Sequence, residues 1–407
     1  MFSEINGTAK AARKLSMGLA RLGHDVHVYA PNKPVNWTDE LNTHHLYFHE
    51  MSGLKPPYEQ DFRLNFPFLD ILSMGLHKET ITNHDIVHAQ TPEGLAFYGW
   101  AMAKFAKIPK VITAHSPLIF YTEDVFGPVS AMYINRIFWI YEPMLYNRFD
   151  LRAVPTPSKK RFIMNQGFKN PIFSISNGIE DFYFQDAHPE KVRDKYNLHN
   201  KKILLYASRL APEKNQDKIV DAFKFIHDRV PESHLIIVGT GPFESTIRQR
   251  IKINHLDDAV TMTGFVTNED LLDYYAAADI TTLWSVVEAP GLVLLEAMAQ
   301  GTPSIGINAM GIKDVIVDGK TGYLCNTIEQ FIKMVVKVFQ DDELHEQLSQ
   351  NCLHYIEAHR MENIARTWVK IYELMIDSYP MIISKANVEK QARVYEDFAR
   401  ANEFVEY

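Results

Sequence analysis

Residues 285–304 read SVVEAPGLVLLEAMAQGTPS and place two glutamates, Glu288 and Glu296, on either side of an apolar run. A carboxylate in apolar surroundings costs several kcal/mol unless something pairs with it, so both need partners. As the acid and base of a glycoside hydrolase they fit poorly. Eight residues of helix span about 12 Å, beyond the roughly 5–9.5 Å such carboxyls need. The flanking segments suggest another geometry. DITTLW (279–284) reads as a strand, SVVEAPG (285–291) as a loop and LVLLEAMAQG (292–301) as a helix closed by Gly301. Glu288 then lies past the carboxyl end of the strand and Glu296 lies inside the helix. The start of the helix, near Gly291, presents free amides suited to an anion. A diphosphate at the helix start, a sugar near Glu288 and a ribose near Glu296 together describe a sugar nucleotide.

Working outward, short β-rich runs alternate with helix-length segments along most of the chain. DVHVYA (25–30), DIVHA (85–89), KVITA (110–114), LRAVPT (151–156) and PIFSIS (171–176) are strand candidates in the first part. KILLYA (202–207), HLIIVG (234–239), AVTMTG (259–264), DITTLW and PSIGI (303–307) are those of the second. This alternation implies parallel sheets with crossover helices, an α/β class. With 407 residues, two doubly wound domains in tandem, facing a cleft, are expected. The expected boundaries are 1–175, 176–380 and a charged helical tail over 381–407, with Asn177-Gly178 marking the hinge. Only Met1 and Phe2 precede the first glycine-bearing loop and helix, so either the chain starts late in a loop or the first strand of the N-terminal sheet lies upstream, the second being favoured.

Two cysteines, Cys325 and Cys352, supply neither a disulfide framework nor metal-ligand spacing, and no apolar run reaches membrane-span length. A cytoplasmic protein is expected. The net charge of −8 is uneven: residues 1–170 carry 18 Lys and Arg against 15 Asp and Glu, and the remainder 24 against 35. No basic stripe suggests nucleic acid. The segment LAFYGWAMAKFAKIPK (95–110) interleaves aromatics with Lys104, Lys107 and Lys110. It suits either a helix on an anionic bilayer or a core helix with a solvated lysine edge. GTGP (239–242) lacks the third glycine of a dinucleotide fingerprint. His88, inside a strand, reads as structural.

These segments together resemble family four of the retaining glycosyltransferases with the GT-B fold. EAPGLVLLEAMAQGTPSIGINAMGIKDVIVDGKTGYL is similar to that family's glutamate–seven–glutamate motif, and INGTAKAARKLSMGLARLGHDVHVYAPN to its opening. YASRLAPEKNQDKIVDAF resembles its donor-phosphate motif, and TGFVTNEDLLDYYAAADI its base-binding turn. The resemblance implies that Glu288 holds the donor sugar and Glu296 the ribose, while Arg209 and Lys214 clamp the diphosphate with amides around Gly291 and Leu292. It implies further that Phe265 and Val266 frame the base, that Gly7 faces the phosphates, and that His115 touches the sugar near its anomeric carbon. A nucleotide-sugar donor, favoured as UDP-linked, and no obligatory metal or other cofactor follow from the same likeness. The chain departs from the family at Pro290-Gly291, Met310-Gly311 and Asp314. YTED (121–124) and the N-domain pattern resemble bacterial diacylglycerol glycosyltransferases. A glycolipid acceptor and peripheral contact with an anionic membrane are therefore favoured over a saccharide or protein-linked acceptor. A hydrolytic or phosphorolytic sugar enzyme and a noncatalytic partner subunit remain as readings from other classes.

Overall fold

The computed structural model describes residues 7–30, 45–51, 83–91, 94–115, 133, 135–137, 139–169, 171–286, 288, 291–309 and 311–382. The chain divides into two compact units. The first comprises the residues up to Gly178 together with those from Met361 onward, and the second runs from Ile179 to Arg360.

The first unit contains α1 (Gly7–Arg21), β1 (Val26–Ala30), β2 (Leu46–Glu50), β3 (Val87–Ala89), α2 (Gly94–Ala106) and β4 (Lys110–Thr113). A helical stretch ending at Tyr146 follows, then β5 (Leu151–Val154), α3 (Pro157–Met164) and β6 (Ile172–Ser174). Strands β1 and β2 pair in parallel, and β3, β4, β5 and β6 form a second parallel sheet in that order. Strands β4, β5 and β6 are buried at every residue, as expected for a sheet covered on both faces. Thr156 caps α3 by accepting from the Lys159 amide, with Pro157 at the first helical position.

The second unit runs α4 (Pro189–Tyr196), β7 (Lys202–Ala207), α5 (Gln216–His227), β8 (Ser233–Val238), α6 (Glu244–Ile253) and β9 (Val260–Gly264). It continues with α7 (Asn268–Ala277), β10 (Ile280–Thr281), α8 (Leu292–Met298), β11 (Ser304–Ile307), β12 (Gly322–Cys325), α9 (Ile328–Gln340) and α10 (Asp342–Ile356). Its six strands are ordered β12-β11-β10-β7-β8-β9 and all pair in parallel. The first strand thus sits in the middle, and the order reverses between β7 and β10. That reversal is the switch point beyond which doubly wound sheets bind ligands. Ile203, Leu204, Leu205 and Tyr206 of β7 are wholly buried in a core shared with Ile219, Phe223, Tyr275 and Phe331.

Two expectations change here. The sequence reading ran the second domain to residue 380, yet α11 (Met361–Ile382) packs on the first unit. Its Met361, Ile364, Ala365, Trp368, Ile371 and Met375 join Leu15, Leu19, Val111 and Leu151 in one core. His88 is fully satisfied there: Nδ1 meets the Tyr372 hydroxyl at 2.6 Å, Nε2 meets Thr113 Oγ1 at 2.7 Å, and the ring lies against Trp368. The lysine edge of residues 95–110 is also smaller than expected. Lys110 points inward and donates to Asp150 at 2.8 and 3.0 Å, leaving Lys104 and Lys107 exposed. Residues 383–407 of the expected tail and the YTED segment lie outside the described residues.

Candidate active site

The switch point of the second unit collects most of the expected residues. After β7 the chain turns through residues Pro212–Lys214, and Lys214 Nζ donates to Glu288 Oε1 at 2.5 Å. Both side chains are mostly buried, at 17% and 14% exposure, so the pair is shielded well enough to be strongly attractive. Glu288 comes from the segment after β10, so the contact bridges the two strands at which the order reverses. Tyr206, the penultimate residue of β7, holds this geometry. Its hydroxyl donates to the Lys214 carbonyl at 2.5 Å and accepts from the Trp284 amide at 3.1 Å. Asn215 adopts a left-handed conformation and donates from its side chain to the Trp284 carbonyl. Sequence reasoning passed over Tyr206 as strand filler; the signal was a hydroxyl at the carboxyl end of an otherwise aliphatic strand.

The loop after β8 explains GTGP. A Cβ on Gly239 would stand 2.0 Å from the Ser208 carbonyl oxygen, and one on Gly241 2.1 Å from that of Leu210. The glycines let this loop run against residues 208–210, where the Leu210 amide donates to the Thr240 carbonyl at 3.0 Å. Gly311 likewise lies against the Glu288 backbone, with φ +89° and room for no side chain.

Arg209 is exposed and pairs with Glu213 at 2.6 Å. Gly291 caps the start of α8 and Leu292 opens it. Glu296 is not a solvated helix residue: it is 8% exposed and accepts from the Tyr275 hydroxyl at 2.8 Å. Burial first, and the neighbouring Glu296 second, push the Tyr275 hydroxyl well above its ordinary pKa, so it stays a donor. Burial and the same carboxylate raise Tyr183. Phe265 is 78% exposed after β9, and Val266 packs on the core beside it. Asp314 is buried.

His115 and Gly7 belong to the first unit. Gly7 is the first residue of α1 rather than part of a loop. His115 stands past the end of β4, and its Nε2–H donates to Gln90 Oε1 at 2.8 Å. Nδ1 is buried with no partner among the described residues. A recess beside it is lined by Gln90, Thr113, Ser176, Asn177 and Trp368. Buried Lys159 donates to the His115 carbonyl. Burial, then the Lys159 charge, lower His115 to about 3; burial lowers Lys159 to about 7, opposed by the Glu142 carboxylate.

This depression has a measurable sign. His115 and His88, the latter also lowered to about 3 by burial, bind fewer protons folded than unfolded below pH 6.5. Stability contributed by neutral burial is complete above pH 6.5 and is lost as pH falls from 6.5 toward 3. Thermal melts of His115→Gln should therefore fall less steeply over that range than those of the unaltered protein. Equal slopes would remove His115 from the set of buried neutral histidines.

Comparisons with known proteins place the chain in a family. Residues 5–181 match the sequence family described as "Glycosyltransferase Family 4", and residues 189–354 match "Glycosyl transferases group 1". The chain is 25% identical over 389 residues to an alpha-monoglucosyldiacylglycerol synthase of Acholeplasma laidlawii, covering 92% of this chain and 94% of the relative. It is 26% identical to an N-acetyl-alpha-D-glucosaminyl L-malate synthase of Bacillus anthracis, covering 91% and 94%. Anabaena HepE in complex with UDP superposes with a TM-score of 0.71 at 19% identity, covering 90% of this chain and 96% of HepE. The sucrose-phosphate synthase of Thermosynechococcus elongatus gives 0.70 at 20% identity, covering 92% and 94%. With two Rossmann-like units, each holding a parallel sheet, and both halves matched in order, the chain belongs to the family four glycosyltransferases of GT-B fold and is a glycosyltransferase.

Proposed function

We propose that the chain transfers a hexose, with retention, from a UDP-linked sugar to a membrane glycolipid or diacylglycerol. The observation that carries the donor half is the Lys214–Glu288 pair at the switch point. A lysine ammonium has three protons to donate, so Lys214 can hold Glu288 and a phosphate oxygen together. Arg209 would leave Glu213 for the second phosphate, and the amides of Gly291 and Leu292 at the start of α8 would add donors. Glu288 would accept from sugar hydroxyls and Glu296 from ribose hydroxyls, the latter held in place by Tyr275. Phe265 offers an exposed ring to the base. His115 would meet the sugar through its unprotonated Nδ1, and Gly7 would face the phosphates. As the bond between the sugar's anomeric carbon and the phosphate oxygen breaks, the acceptor oxygen bonds that carbon on the same face. The acceptor proton passes to the leaving phosphate. Fixed cations stabilise that departure, so an obligatory metal is not part of the proposal.

The UDP preference is supported by HepE, whose structure contains UDP. The lipid acceptor is supported by the Acholeplasma relative's own product. Among the described residues no helix is long and apolar enough to cross a membrane, so the proposed contact with an anionic membrane is peripheral. The test is product detection from purified protein supplied with UDP- and GDP-sugars and diacylglycerol in vesicles. Release of nucleoside diphosphate with a new glycolipid supports both halves. Release only with soluble sugars or peptides keeps the donor site and discards the lipid. Donor binding without turnover replaces the proposal with a noncatalytic subunit. Within the same assay, Glu296→Ala should weaken donor binding about tenfold or more, because one charge-assisted hydrogen bond is lost. Donor titration with unchanged affinity would take Glu296 out of the site.

A further inference from the structure

The first unit carries an apolar stripe on its surface. Tyr133, Ile137, Ile140 and Met144 are 65%, 65%, 66% and 51% exposed. Their spacing of four, three and four residues aligns them on one face of a helix. Trp139, 47% exposed, lies off the stripe, about 100° around the helix from Ile140. On the inward side Leu145 and Tyr146, with Phe149 just past the helix end, join the core. The helix thus buries apolar side chains on one side and exposes an apolar stripe on the other, unlike an ordinary surface helix.

Charge is distributed to match. Arg136 and Arg148 are exposed along the same stretch, one near each end of the stripe. Arg148 lies over the Trp100 ring at 5.4 Å, and Lys104 lies over the same ring at 5.3 Å. Those contacts join the stripe to the exposed end of α2, where Phe105 is 60% exposed. Neither α2 nor residues 133–149 contain an acid except Glu142, which is turned inward at 3% exposure. An isolated exposed apolar residue is ordinary, but a stripe of this length with a cationic border marks a contact surface.

We infer that this stripe docks on an anionic bilayer, with Tyr133, Ile137, Ile140 and Met144 entering the interface and Arg136, Arg148 and Lys104 meeting lipid phosphates. Interfacial helices combine these features: aromatic and aliphatic residues at the acyl boundary, and basic residues at the headgroups. A second copy is the weaker occupant, because a two-fold contact would bring the same cationic border against itself. The inference rests on the reading of a membrane-borne acceptor for its purpose, since docking would bring the acceptor within reach. It also places the contact on the stripe rather than on the lysines of α2 alone.

The test is co-sedimentation of the full chain with phosphatidylcholine vesicles, with and without equimolar phosphatidylglycerol, in the absence of donor and acceptor. Binding to anionic vesicles, with much weaker sedimentation on phosphatidylcholine alone, is the expected result. The exposed double variant Ile137→Ser/Ile140→Ser should bind about tenfold or more weakly, while donor titration stays unchanged. Arg136→Gln/Arg148→Gln should bind anionic vesicles with a shallower salt dependence. Unchanged vesicle binding by the serine variant overturns the inference. So does a wild-type dimer in solution that this variant abolishes, which would assign the stripe to a second copy. Absence of wild-type binding to either vesicle overturns it as well. Transfer to detergent-dispersed diacylglycerol is measured separately. Its failure sinks the acceptor reading alone, and loss of vesicle binding sinks the docking surface alone.

Discussion

Replacing Lys214 with alanine should lower turnover by about 10³-fold, measured as nucleoside diphosphate release under saturating donor. Removal of one preorganised charge-stabilising donor costs this much where charge develops on a leaving group. On the proposed reading Lys214 is such a donor. It sits at the switch point, its backbone is tied by Tyr206, and its ammonium is already fixed on Glu288. The same substitution leaves Glu288 without its cation at 14% exposure, which by itself destabilises the unit, because a half-removed buried pair strands a charge. The double variant Lys214→Ala/Glu288→Gln, compared with Glu288→Gln alone, separates the two effects. It should regain thermal stability relative to Lys214→Ala, yet turn over far more slowly than Glu288→Gln. Turnover within about tenfold of wild type for Lys214→Ala would show that the phosphates are met elsewhere.

The second large effect concerns a methyl group. Gly241→Ala places its Cβ 2.1 Å from the Leu210 oxygen, 2.8 Å from its carbonyl carbon and 2.9 Å from its amide nitrogen. These are backbone atoms, and no rotamer change relieves them. The segment 208–210 must move, against the hydrogen bonds that Leu210 exchanges with Thr240 and Phe243. Overpacking of this kind costs about 1–3 kcal/mol, at the upper end when only backbone can yield. Arg209 lies in the displaced segment and Lys214 four residues beyond it, so donor affinity should fall with stability. Gly319→Ala is the comparison. Its φ of +72° strains a side chain, but nothing stands within 4 Å, so it should cost about 1 kcal/mol and leave donor titration unchanged. Equal melting temperatures for the two variants would mean that the 208–210 loop is looser than its contacts indicate.

The strands of the second unit were legible because parallel, doubly covered strands are written as aliphatic runs. KILLYA, HLIIVG and PSIGI all became strands at nearly the residues expected. The two-residue β10 was legible only through the longer DITTLW, since its pairing partners define it. Glu288 and Lys214 were each readable from the motifs, but neither their contact with one another nor Tyr206, which locks it, was. A tyrosine hydroxyl at a strand end acquires its meaning from the two backbone groups folding brings to it. Lys110 was misread for a similar reason. At helix spacing it matches Lys104 and Lys107, but it begins β4, where Asp150 receives it. The placement of α11 was hidden altogether, because an amphipathic helix records that one face is buried and not which core buries it.

That last placement affects how the protein is made. The chain leaves the first unit at Gly178, completes the whole of the second, and only then supplies the helix whose Trp368 and Met375 fill the first unit's core. On a ribosome, the earlier-synthesised unit waits for its final wall while the later one, contiguous in sequence, can close by itself. Vectorial synthesis thus reverses the usual order in which an amino-terminal domain finishes first. During that interval the unfilled face around Leu15, Leu19 and Val111 is a surface that nascent-chain chaperones would recognise.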